Sequence, residues 1–133
     1  MVAPHDLLVQ AIELQKAAKK DLDYRNVIER AYYGAYHAAL EFEEKLPHRS
    51  QAAPRNVGTH ESLFQRLERP DPKLEYVLQV ISKDIAAQMR MLKPLRELAT
   101  YELKETIRID QAEEAIMITK DILAECAKGH RRI

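Results

Sequence analysis

Arg30 and His37 stand in RAYYGAYHAAL, residues 30–40, a stretch otherwise rich in alanine. A histidine is the side chain suited to carrying protons near neutral pH. An arginine fork matches the geometry of a phosphate or carboxylate. At about 100° per helical residue, Asn26, Arg30, Tyr33, His37 and Glu41 share one stripe. Arg30 and His37 are two turns apart, about 10 Å along the axis, and long side chains at that spacing could converge on one ligand. Ile28, Ala35, Ala39 and Leu46 fall on the opposite side and should face a core. Gly34 costs about 1 kcal/mol of helix propensity relative to alanine, which close packing or room for a substrate would explain. The ordinary alternative is a solvated outer face, with the tyrosines and small residues serving a helix–helix or dimer interface.

Five segments carry helical periodicity and would position this stripe. The first covers about Asp6 to Lys20, with Leu7, Leu8, Ala11, Ile12, Leu14 and Ala18 as its apolar side. The second covers about Tyr24 to Leu46, capped by Asp21 or Asp23 and ended by Pro47. Residues 47–58 read as a loop without acidic residues, and Thr59 caps a short third helix, about 60–68. A fourth helix starts near Pro72 and should kink or stop at Pro94, which lacks an amide donor. A loop follows around Tyr101 to Arg108. The last helix covers about 110–127, with Asp110 and Glu113 as a capping-box variant, and 128–133 form a basic tail expected to be disordered. The expected fold is all-α, one up-and-down bundle of four to five helices.

The chain has 133 residues, 46% hydrophobic and 32% charged, which fits one globular domain with a real core. It carries 21 basic and 21 acidic residues, so any anion-binding surface must be local. The acid-free run with His48, Arg49, Arg55 and His60, joined by Arg30, is a candidate phosphate rim. The one cysteine, Cys126, cannot form an internal disulfide and reads as an incidental thiol. No signal peptide or membrane span is expected, which favours a cytoplasmic protein. Metal chemistry has little support. His37 and Glu41 are at i, i+4 without a third ligand, and HESLF at 60–64 lacks the second histidine of the zinc-protease pattern. No cofactor motif is present.

ERAYYGAYHAAL resembles the signature helix of HEPN domains (higher eukaryotes and prokaryotes nucleotide-binding domains). His60, Leu63 and Leu67 resemble the histidine and leucines of that family's next helix. LRELATYEL at 95–103, with Arg96 and Tyr101, resembles a later segment, and AEEAI at 112–116 the start of the final helix. The resemblance spans about residues 7–125. It implies a four- or five-helix bundle, commonly a homodimer. Many members are metal-independent ribonucleases using an arginine and a histidine, several of them toxins beside a nucleotidyltransferase antitoxin. Others bind RNA, nucleotides or partners without catalysis.

Carried over to this chain, Arg30 and His37 are the candidate catalytic pair, with Tyr33 and Tyr101 as weaker members. Asn26, Glu41, Arg49, Arg55, His60 and Arg96 are candidate ligand contacts. Ala31 stands where active members carry a polar residue. RNVIER at 25–30 resembles a second form of the motif with Arg30 in the histidine's place. The expected function is an RNA- or nucleotide-binding module. The alternatives are an active ribonuclease and a non-catalytic dimeric adaptor.

Overall fold

A computed structural model describes residues 1–52 and 57–133. They form five helices: α1 (Pro4–Ala17), α2 (Asp21–Glu44), α3 (Thr59–Glu68), α4 (Tyr76–Tyr101) and α5 (Ile109–Arg132). No strand occurs among the described residues. None of their helices is long and apolar enough to cross a membrane.

The long α2 packs against each of the other four helices. Its alanines explain how. Ala31, Ala35 and Ala39 are fully buried and, with Val27, Ile28 and Phe42, face the core. Small side chains let backbones approach, and the Thr119 hydroxyl of α5 reaches across to donate to the Ala31 carbonyl at 3.2 Å. Gly34 serves α1 in the same way. A Cβ there would lie 3.1 Å from both the Leu7 Cβ and the Pro4 carbonyl oxygen. Of the two explanations for this glycine, close packing accounts for it.

Several element ends differ from the sequence expectation. Helix α2 begins at Asp21 rather than Tyr24, and Asp23 turns its carboxylate back to accept from the Lys19 and Lys20 amides at 3.0 and 3.3 Å. Gly58, not Thr59, occupies the N-cap of α3, and no side chain caps it. Residues 71–74 form a turn in which Asp71 accepts from the Lys73 and Leu74 amides, so α4 starts at Tyr76 instead of Pro72. It then continues through Pro94 to Tyr101. Pro94 is exposed, and it leaves the carbonyl one turn earlier without its helical donor. At α5, Gln111 rather than Glu113 turns back to the Arg108 amide, at 2.9 Å, and Asp110 pairs with the Arg108 guanidinium at 3.0 Å.

The supposed C-terminal tail is helical through Arg132, and Gly129 within it is buried against Phe42. Short-range pattern favoured a stop at 127 because a glycine and a run of basic residues follow. Packing on Phe42 overrides that local preference.

Charged side chains join the elements. Arg90 of α4 grips Glu61 of α3 through two bonds of 2.7 Å and also reaches Glu68 at 2.8 Å. The guanidinium holds the Glu61 carboxyl down at about 2. A carboxylate with a depressed native pKa contributes stability above its unfolded value and loses it as pH falls through the native one. The latch should therefore weaken progressively below about pH 4.3. Because the pair is partly exposed, the contribution should be about 1 kcal/mol. Urea unfolding of wild type and Glu61→Gln should differ by that amount at pH 7 and converge near pH 2.

Candidate functional site

The outer stripe of α2 emerges largely in solvent. Asn26 and Glu41 are exposed, Tyr33 is 50% exposed, and Arg30 and His37 are half-buried. Glu41 is bonded to Lys45 at 2.8 Å, a contact that keeps its carboxyl below the ordinary value. Arg30 makes no hydrogen bond or ion pair among the described residues, and it shares no partner with His37. His37 instead meets two rings edge-on, Tyr33 at 4.3 Å and Tyr36 at 5.3 Å between centroids. The structure shows no hydrogen bond between the two members of the candidate catalytic pair.

It does gather a different set. Tyr36 of α2 stacks on His60 of α3 at 4.1 Å with the ring planes 13° apart. The Tyr32 hydroxyl lies 2.7 Å from His60 Nδ1. Arg96 of α4 places its guanidinium 5.4 Å from the Tyr32 ring centre and 5.6 Å from that of Tyr101. Glu29 sits beside them, accepting from the Thr100 hydroxyl. Three of the expected residues, His60, Arg96 and Tyr101, thus share one patch with His37 at its border. Tyr32, Tyr36 and Glu29 complete it and were not singled out from sequence.

The chemistry of His60 follows from its neighbours. Tyr32 is 3% exposed, and burial pushes its phenol well above the ordinary value, so it keeps its proton. His60 is the one hydrogen-bond partner of that hydroxyl among the described residues. A buried hydroxyl with one partner is best satisfied by donating to it. His60 Nδ1 is then the acceptor, and Nε2 carries the ring hydrogen. Burial, then Arg96, Lys93 and His37, push the His60 pKa down and favour this neutral form. His60 therefore offers a hydrogen-bond donor and a ring face near neutral pH, not a vacant base. Glu29 is shifted the other way, its carboxyl raised by burial against the opposing charge of Arg96.

Two arginines from these sequence stretches hold elements of the fold together. Arg49 donates to the buried Glu43, which also accepts from Arg66 of α3 at 2.8 Å, so Arg49 ties its loop to α2 and α3. Arg25, from the RNVIER stretch, is 6% exposed and spends its donors on Asp21 and on carbonyls at the end of α4. Arg55 lies outside the described residues. Cys126 is buried, which pushes its thiol up to about 12 and removes it as a nucleophile. Among the described residues, no three His, Cys, Asp or Glu side chains cluster as a metal site would require.

Compared with protein-family models, with curated proteins and with solved structures, the chain matches none.

Proposed function

We propose that this helical bundle is an HEPN-like RNA- or nucleotide-binding module whose contact surface is the patch of Tyr36, His60, Arg96 and Tyr101. One observation carries the reading: a guanidinium within 5.6 Å of two tyrosine ring centres, beside a stacked tyrosine–histidine pair. Unpaired bases stack on aromatic and guanidinium planes, typically for about 1–3 kcal/mol per base. Tyr101 is 65% exposed and available for such a contact. The zero net charge accords with binding through few phosphate contacts and a shallow salt dependence. A second copy of the chain and a nucleotidyltransferase antitoxin are the protein partners this reading carries with it.

A second reading, a metal-independent ribonuclease using Arg30 and His37, draws on the position of His37 edge-on to Tyr36 at the border of the patch. One experiment addresses both. Labelled single-stranded RNA and ATP are titrated with the protein at low salt in EDTA, with anisotropy read first and RNA length on a gel afterwards. Binding should weaken about tenfold or more in Tyr101→Ala and in Arg96→Ala. Unchanged anisotropy with both ligands at low salt would sink the binding proposal. Cleavage abolished in Arg30→Ala and His37→Ala would favour the ribonuclease. Intact RNA would leave the module non-catalytic.

A further inference from the structure

On the other flank of His37, the start of α1 and the outer stripe of α2 border an open groove of about 390 Å³. That is within the size range of small-molecule sites. Val2, Pro4 and Leu7 form one wall, and Leu40 extends it on α2. This wall is set by packing, because the missing Cβ of Gly34 is what lets Pro4 and Leu7 sit so close to α2.

The polar lining is Tyr33, His37, Glu41, Glu44 and Lys45. Lys45 is committed to Glu41. Glu44 is exposed and makes no hydrogen bond or ion pair among the described residues. The lining therefore retains one unpaired carboxylate, Glu44, with the His37 imidazole as its other titratable group outside the Glu41–Lys45 pair. Tyr33 adds an aromatic wall with half its area open, steadied by the edge-on contact with His37.

A ligand must satisfy all three features together. An apolar wall requires an apolar body. A free carboxylate attracts a positive charge and repels a phosphate or carboxylate. A half-exposed tyrosine ring attracts a cation through its quadrupole. We infer that this groove is a binding site for a small organic cation with an apolar body, of the amine or quaternary ammonium class. The site is separate from the Arg96 patch and does not depend on the RNA-binding proposal.

The test is an amide NMR titration of the full chain with benzyltrimethylammonium, and with phenylacetate as an anion of similar size. The cation should produce saturable shifts confined to residues 2–7 and 33–45, and phenylacetate should not. Tyr33 and Glu44 are exposed, so Tyr33→Leu and Glu44→Gln should leave the fold intact, as the unperturbed remainder of each spectrum will show. Each should weaken the cation about three- to tenfold. The inference is overturned by the absence of saturable shifts with the cation, by equal binding of phenylacetate, or by affinity unchanged in both variants.

Discussion

Arg25→Ala should destabilise the protein by about 3 kcal/mol, from the backbone carbonyls it strands, and lower Tm by about 10 °C. Few substitutions reach that size, and this one has a specific cause. Arg25 is almost wholly buried, yet its donors are met: Asp21 at 3.0 Å, the Leu98 and Ala99 carbonyls at 3.2 and 3.0 Å, the Glu102 carbonyl at 3.0 Å, and the Glu105 carbonyl. The last carbonyls of a helix have no partner within it. Here the guanidinium supplies one and draws in the loop that leads to α5. Asp21 extends the clamp by accepting from the Ile107 amide at 2.6 Å. That bond, and then Arg25, hold its carboxyl below the ordinary value. Arg25→Lys should recover little, because a single ammonium cannot span acceptors arranged for a planar fork. Thermal melts of both variants check this. Hydrogen exchange should localise the loss to residues 102–108 and the adjoining ends of α4 and α5. Melts within about 1 °C of wild type would show that the clamp contributes nothing.

The clamp also shows what the sequence could and could not disclose. Helix number, the alanine face of α2 and the loop after Tyr101 follow from local periodicity and punctuation. These are properties of neighbouring residues, and the structure agrees with them. RNVIER looked like a second catalytic motif because an arginine's type is visible in sequence while its acceptors are not. The carbonyls that occupy Arg25 lie more than seventy residues away along the chain. The partner of Arg49 is hidden from sequence in the same way. A loop arginine without acidic neighbours reads as free, yet the buried carboxylate of Glu43 claims it.

The candidate site is legible to a similar depth. The wheel placed Arg30, His37 and Glu41 on one stripe, and all three lie on the outer side of α2. Tyr32 and Tyr36 are also one helical turn apart, but they face α3 and α4, off the stripe. Their role depends on His60 and Arg96, which arrive only when three helices pack. Sequence names His60 and Arg96 by type and position, whereas their contacts with Tyr32, Tyr36 and Tyr101 exist only in the packed bundle. The edge-on contacts of His37 with Tyr33 and Tyr36 are likewise not specified by spacing alone.

Gly129→Ala gives the second large effect, and its sign distinguishes a packed C-terminus from a frayed one. In an unpacked helical tail, alanine should stabilise by up to about 1 kcal/mol, because glycine is the poorer helix former. In this structure the added Cβ would lie 2.3 Å from Phe42 Cε2 and 2.8 Å from Cδ2. Phe42 is fully buried, and His130 meets its ring edge-on at 6.2 Å, so the ring has little room to turn aside. Overpacking of this kind costs about 1–3 kcal/mol. A contact so short should fall at the upper end, leaving a net loss of about 2 kcal/mol after the propensity gain. The expected result is a Tm about 6 °C lower. Phe42→Leu removes the ring atoms that clash and leaves space the alanine methyl can fill. The double variant should therefore be more stable than the sum of the two single effects, by about 1 kcal/mol or more. Denaturant unfolding of the four proteins measures that coupling. A stabilising Gly129→Ala with no coupling to Phe42 would mean that α5 does not pack beyond Ala127.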